Sequence, residues 1–175
     1  MLVESDIAIA LGGGSKFFKL PLSDKQIHLI DNGNSLDQDN LTKHSRVLGL
    51  FAEDGLDRRL APPTQLKMTE KALDFLDKKS SNCSGFFLMS EGSQIDWGGH
   101  DNNVKYMLSE FRDFDASVAA AIEFAKNDKH TLILVTSHYV FVHLNIPPAK
   151  TLPRKGGRQG LGGGQEATVG KVGGS

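Results

Sequence analysis

The feature that most constrains the fold is a long amphipathic stripe that lies between two short apolar runs. From Val104 to about Lys126, apolar residues recur with a period near 3.6 residues, which is typical of a helix with one buried face. The runs from Phe86 to Ser90 and from Thr131 to Thr136 are short and apolar, as buried strands are. A strand, a helix and a strand in this order predict two parallel strands joined by a right-handed crossover. The sequence therefore predicts an α/β fold.

Three further segments extend this pattern toward the amino end of the chain. Ile7 to Leu11 and Val47 to Ala52 are predicted strands, and the apolar spacing from Leu66 to Lys79 predicts a helix. Residues 21–45, between the two strands, are polar and are predicted to be irregular, with Asp31-Asn-Gly-Asn as a turn signal. Strands and helices are thus predicted along most of the chain.

Three consecutive glycines, Gly12 to Gly14, close the first predicted strand. They lack the Gly-Lys-Ser/Thr ending of a phosphate-binding P-loop and the spacing of the dinucleotide-binding glycine motif. We therefore interpret them as a backbone turn, with contact to a phosphate as a minor alternative.

Three side chains that could ligate metal ions follow the predicted strand at Phe86 to Ser90. Parallel sheets place their chemistry at the carboxyl ends of strands, and Glu91 stands at such an end. Asp96 and His100 are four residues apart, so they share a face if this segment is helical. A carboxylate with an imidazole is a zinc-type ligand pair, whereas Glu91 offers oxygen alone, which suits magnesium. Spacing alone leaves open that all three are solvated surface residues.

Composition narrows the range of partners. The 175 residues are enough for one domain with a sizeable core. With 20 basic and 21 acidic residues, the chain has no charge excess that would indicate a nucleic-acid partner. No apolar stretch approaches the roughly 18 residues that a membrane span needs, and the single cysteine, Cys83, excludes an internal disulfide.

The carboxyl-terminal part of the sequence differs from the rest. Nine of the 19 glycines fall within residues 156–175, without any aromatic residue, and four basic residues accompany them: Arg154, Lys155, Arg158 and Lys171. Such a segment cannot bury enough apolar surface to offset the entropy lost on ordering, so we expect disorder. We therefore divide the chain into a domain at residues 1–138 and a divergent tail at residues 139–175.

Four stretches of the sequence resemble the alkaline phosphatases, the zinc- and magnesium-dependent phosphomonoesterases. The stretches are Ala10 to Gly14, Leu48 to Ala52, Gln65 to Ala72, and Gly85 to His100. They occur in the same order as in that family, and the last of them is the most specific. The resemblance implies part of the family's fold, a parallel sheet between layers of helices in a three-layer α/β sandwich.

The resemblance also implies roles for individual residues. Glu91 matches the family's magnesium ligand, and Asp96 and His100 match two ligands of its first zinc ion. The implied cofactors are Zn²⁺ and Mg²⁺, and the implied substrate is a phosphate monoester. Complete members of the family often form homodimers and are exported to the periplasm or the cell exterior.

The sequence departs from the family pattern in three places. Where the family has Thr-Ala-Asp-His, this chain has Thr136-Ser-His-Tyr139, so His138 is either a ligand of the second zinc ion or a simple loop histidine. The segment that carries the family's nucleophilic serine has no counterpart, and no catalytic residue is identified. The late segment that supplies a further zinc ligand is also missing, and the resemblance weakens after residue 138.

These departures lead to a prediction about activity. We expect an incomplete fragment of an alkaline phosphatase that is inactive, or nearly so, by itself. Two alternatives remain open at this point: a non-catalytic metal-binding remnant, or another metal-dependent phospho- or sulfo-transferase of related fold, since fold analogy alone does not separate them.

Overall fold

The computed structural model describes residues 7–18, 26–56, 63–81 and 85–137. Three strands and four α-helices form there, with two short 3₁₀ turns at Ser15–Phe17 and Leu41–Lys43. The strands are β1 (Ile9–Gly12), β2 (Ile27–Ile30) and β3 (Arg46–Leu50), and the helices are α1 (Ser35–Gln38), α2 (Gln65–Ser80), α3 (Ser93–His100) and α4 (Val104–Asp128). The predicted α/β class is confirmed.

The three strands form one parallel sheet in the order β1-β3-β2. In the central strand, Val47 pairs with Ile9 of β1 on one side and with His28 of β2 on the other. Val47 and Leu48, whose side chains point to opposite faces, are each only 3% exposed. A strand that is buried on both faces reads as a continuous apolar run, which is why β3 is visible in the sequence.

Helix α2 packs on this sheet through its apolar face. Phe75 is fully buried, and it belongs to one core cluster with Val47 and Leu36. The helix begins where the Thr64 hydroxyl accepts a hydrogen bond from the backbone N–H of Lys67, at 3.1 Å, which is a standard amino-terminal cap. The helix predicted from Leu66 to Lys79 is confirmed with ends one residue wider.

Helix α4 packs against both α2 and α3. Its start is capped by the side chain of Asn103, which accepts a hydrogen bond from the N–H of Tyr106 at 3.1 Å. It ends at Asp128, and the residue that caps it, Lys129, has a left-handed backbone with a φ of 65°. The long helical stripe that we predicted from Val104 to about Lys126 is therefore confirmed. None of the helices in the described ranges is long and apolar enough to cross a bilayer.

The two strands predicted on either side of α4 are wrong. Residues 86–90 and 131–136 make no ladder with any strand among the described residues, so the predicted parallel pair with its crossover does not form there. Residues 86–90 alternate in burial, with Phe87 87% exposed between two half-buried neighbours. Residues 131–134 alternate in the same way, but residues 134–137 are all exposed. The apolar runs predicted buried strands, but a strand also needs a hydrogen-bonding neighbour, and the described residues supply none to either run.

A second correction concerns residues 21–45, which we predicted to be irregular. They contain β2 and α1, which form one edge of the sheet and part of its core. Each element is four residues long, too short for periodicity to reveal it. His138, Cys83 and the predicted tail at 139–175 lie outside the described residues.

Candidate metal site on helix α3

Helix α3 lies beside the loops that follow β1 and β3, at the carboxyl ends of these strands. The two loops are joined by a hydrogen bond of 2.8 Å from the Gly14 N–H to the Asp54 carbonyl. A Cβ added to Gly55 would lie 2.4 Å from the ring of Trp97, so the second loop touches α3 directly. The predicted ligand segment therefore stands at the edge of the sheet where parallel α/β proteins place their sites.

The glycine turn itself does not offer a phosphate cradle. The backbone N–H groups of Gly14, Ser15 and Lys16 donate to carbonyls of residues 54, 52 and 53. Donors that are already satisfied within the chain are not available to an anion. Gly14 has a φ of 90°, a conformation that favours glycine. The interpretation of these glycines as a backbone turn is supported.

A small polar network fixes the end of the segment that precedes Glu91. The Ser90 hydroxyl accepts a hydrogen bond of 2.7 Å from the Gln65 side-chain amide and lies 3.0 Å from the Thr69 hydroxyl. Both partners belong to the first turns of α2. Glu91 follows immediately and is exposed. It lines an open cleft of about 1060 Å³ that extends to the Gly12–Gly14 turn. Glu91 is thus placed on the cleft by the anchoring of Ser90.

Helix α3 is held against α4 by two close contacts. The buried Tyr106 hydroxyl donates a hydrogen bond to the side-chain carbonyl of Gln94. A Cβ added to Gly98 would lie 2.7 Å from the backbone nitrogen of Met107, so the two helices approach closely there. These contacts bury one face of α3 and leave the opposite face, with Asp96 and His100, in solvent.

Asp96 and His100 form a pair on the exposed face of α3. Their Oδ2 and Nε2 atoms are 3.3 Å apart, and their side chains are 56% and 74% exposed. The prediction that they share a helical face is confirmed. Two such atoms bound to one zinc ion at tetrahedral angles would lie about 3.4 Å apart, given zinc–ligand distances of about 2.0–2.2 Å. The observed separation therefore suits a shared zinc ion, and the open surroundings leave room for further ligands.

The structure separates Glu91 from this pair. The ligand atoms of Glu91, Asp96 and His100 do not all lie within 4.8 Å of one another, so the three do not form one cluster. Asp96 and His100 are also absent from the lining of the cleft that Glu91 borders. Two separate ion positions, one at Glu91 and one at the Asp96–His100 pair, are the arrangement that this geometry allows.

A different cluster was not foreseen from the sequence. His28, Asp39 and His44 place three ligand atoms within 4.8 Å of one another, the one such group among the described residues. Their spacing of eleven and five residues matches no common metal motif, and they fall in the stretch that we predicted to be irregular. Only the folding of β2 and α1 brings them together.

The chain matches the sequence model of one protein family, described as Alkaline phosphatase, over residues 22–152. It is 50% identical over 101 residues to alkaline phosphatase 4 of Bacillus subtilis (strain 168), a match that covers 55% of this chain and 21% of the relative. It is 37% identical over 91 residues to the alkaline phosphatase of Escherichia coli (strain K12), covering 52% of this chain and 19% of that protein. The chain thus spans about a fifth of the length of these relatives.

Solved structures agree with the sequence matches. The alkaline phosphatase from the Antarctic bacterium TAB5 superposes with a TM-score of 0.61 at 32% identity, over 73% of this chain and 39% of that one. A mutant of the same enzyme, with a TM-score of 0.56, has magnesium bound in a site named M3. The folds are therefore related over most of the present chain.

Proposed function

Because this chain belongs to the alkaline phosphatase family, we propose that it serves the hydrolysis of phosphate monoesters by a zinc- and magnesium-dependent enzyme. In this proposal Asp96 and His100 hold zinc, and Glu91 holds magnesium. The observation that carries the proposal is the 3.3 Å approach of Asp96 Oδ2 and His100 Nε2 on a helix at the carboxyl edge of a parallel sheet.

The chemistry of the donor atoms fits these assignments. His100 offers a neutral nitrogen and Asp96 an anionic oxygen, both of which zinc accepts, while Glu91 offers the hard oxygen that magnesium prefers. Divalent cations in such enzymes supply charge stabilisation for the attacking and leaving oxygens of a phosphoryl transfer. The protein contributes orientation: Ser90 fixes the backbone ahead of Glu91, and the Gln94–Tyr106 contact fixes the helix that carries the zinc pair.

His138 stays a prediction as a ligand of the second zinc ion. The family resemblance assigns no residue among these 175 to the nucleophilic serine, so a complete catalytic set is not identified by that criterion. We therefore expect very weak or no turnover from the chain by itself. Dimer formation and export likewise stay predictions that come from the family.

A zinc titration of the chelator-treated chain by isothermal calorimetry tests the metal assignment. We expect His100→Ala and Asp96→Asn each to lower the number of zinc ions bound by one, because either change removes one of two ligands on α3. His130→Ala is the matched control, since this exposed histidine lies outside α3. Unchanged binding in both α3 variants would contradict the assignment of zinc to this pair.

An activity assay tests the expectation about turnover. The chain is incubated with an aryl phosphate at alkaline pH in the presence of zinc and magnesium. Zinc binding without measurable hydrolysis is the result we expect for the chain by itself. Robust hydrolysis that a chelator abolishes would show that the nucleophile is present after all, and the expectation of inactivity would be wrong.

A further inference from the structure

We propose that His28, Asp39 and His44 form a second site for a divalent transition metal, separate from α3, that ties the β2–α1–β3 connection together. Asp39 Oδ2 lies 2.5 Å from His28 Nε2, and Asp39 Oδ1 lies 3.8 Å from His44 Nε2. One carboxylate oxygen therefore faces each imidazole. The three ligand atoms all lie within 4.8 Å of one another, which is close enough for one ion to reach them.

The three ligands come from three consecutive elements of the fold. His28 belongs to β2, Asp39 follows the last residue of α1, and His44 follows the 3₁₀ turn at Leu41–Lys43. Their side chains are 30%, 26% and 32% exposed, so they are partly shielded but open to an ion from solvent. A cation held by all three would link strand β2, the end of α1 and the end of the Leu41–Lys43 turn to one another.

The donor set indicates the class of metal. Two imidazoles and one carboxylate form the three-ligand set of open zinc sites, and imidazole also suits cobalt, nickel and copper. Magnesium and calcium prefer oxygen donors throughout, so neither is favoured here. The site would keep at least one coordination position for water.

Metal binding would require a small rearrangement of the histidine rings. The His28 and His44 rings are stacked, with centroids 3.6 Å apart and planes 4° from parallel. An imidazole nitrogen binds a metal in the plane of its ring, so two stacked rings cannot both point at one ion. At least one ring must turn about its Cβ–Cγ bond, which a partly exposed side chain can do. The stack should therefore be lost when the metal binds.

The position of the cluster separates it from the α3 site. His44 precedes β3 by two residues, so it lies at the amino end of that strand, whereas α3 contacts the loop after the carboxyl end. A metal at the cluster would therefore act on the stability of the fold rather than on chemistry at the cleft. Because an ion that binds the folded state alone stabilises it, added zinc should raise the melting temperature.

Zinc and cobalt titrations of the full chain test the proposal, after all metal has been removed with a chelator. The wild type and the His100→Ala variant should both show a zinc-dependent rise in melting temperature and the visible absorption of cobalt bound by imidazoles. In the His100→Ala background, where the α3 pair no longer holds an ion, His44→Gln should abolish both signals or weaken the affinity by at least about tenfold, because even residues that merely orient a metal ligand are worth 10- to 100-fold in affinity. Circular dichroism without metal shows whether His44→Gln still folds, and Asp39→Asn provides a second variant.

The outcomes distinguish this site from the one on α3. Zinc binding that His100→Ala abolishes and His44→Gln leaves unchanged would overturn the second site and leave the proposed function intact. A melting temperature of His100→Ala that does not respond to zinc would also overturn it. Retention of the zinc response in His100→Ala, and its loss when His44→Gln or Asp39→Asn is added to that variant, is the result we expect.

Discussion

Strand β3 and residues 86–90 are both short apolar segments, yet they differ in their strand neighbours and in their burial. Leu48 in β3 has a strand on each side and is 3% exposed, whereas Met89 has no strand neighbour among the described residues and is 76% exposed. Strand β3 is buried on both of its faces, whereas residues 86–90 alternate between half-buried and exposed side chains. The comparison shows that an apolar run is buried on both faces only where the fold supplies strands beside it and layers that cover it.

Residues 86–90 are nevertheless not loose. Phe86 and Leu88 pack against the core cluster, and Phe86 makes an edge-to-face contact with Phe124 of α4, with ring centroids 6.1 Å apart. Their last residue, Ser90, is bound to α2 by hydrogen bonds. One face and one end of the segment are thus fixed, and this is sufficient to place Glu91.

The sharpest test of this comparison replaces Leu48 in β3 and Met89 in residues 86–90, two apolar side chains of similar size, by alanine. Leu48→Ala should lower the free energy of unfolding by about 2–5 kcal/mol, because it opens a cavity in a packed core. Met89→Ala should change it by less than about 0.5 kcal/mol, as exposed substitutions do. Urea unfolding of both variants measures the difference. Equal losses would mean that Met89 is as well packed as β3, contrary to its exposure.

Two adjacent glycines allow a test of the close contact between the loops that follow β1 and β3. A Cβ at Gly13 would lie 2.0 Å from the Asp54 carbonyl oxygen, whereas a Cβ at Gly12 would meet nothing within 4 Å. Gly13→Ala should therefore destabilise the protein by about 1–3 kcal/mol, because backbone must shift, while Gly12→Ala should be close to neutral. Thermal unfolding followed by circular dichroism compares the two, and a neutral Gly13→Ala would refute the close approach.

The anchored end of residues 86–90 gives a smaller effect. Ser90→Ala removes the hydroxyl shared by Gln65 and Thr69, so we expect a loss of about 1–2 kcal/mol in the free energy of unfolding. Ser80→Ala is the control, because the Ser80 hydroxyl bonds an exposed carbonyl of its own helix. Urea unfolding measures both changes. If the two variants lose the same stability, the network does not hold the segment.

The smallest expected effect lies at the start of residues 131–137. A hydrogen bond from the Thr131 hydroxyl, and another from the His130 backbone N–H, hold the pKa of the Asp128 carboxyl below its ordinary value. Since the folded pKa is the lower one, this contribution is complete above the ordinary carboxyl pKa and is lost as pH falls through the lowered value. Thr131→Val should raise the Asp128 pKa in an NMR titration of the side-chain carboxyl. An unchanged titration curve would show that the hydroxyl is not bonded in solution.

Much of the helical structure followed from the sequence alone. The extents of α2 and α4, and the common face of Asp96 and His100, depend on spacing within one helix, which a pattern of 3.6 residues per turn reveals directly. All of these are local properties of contiguous residues.

Tertiary structure decided the features that join distant residues. Which apolar runs became strands, and which kept one exposed face, depended on the hydrogen-bonding neighbours that the fold supplied. The meeting of His28, Asp39 and His44 required β2 and α1 to form in a stretch with no visible period. The spacing of neighbouring residues determines local geometry, whereas a contact between separate elements exists only once the chain has folded around a common core.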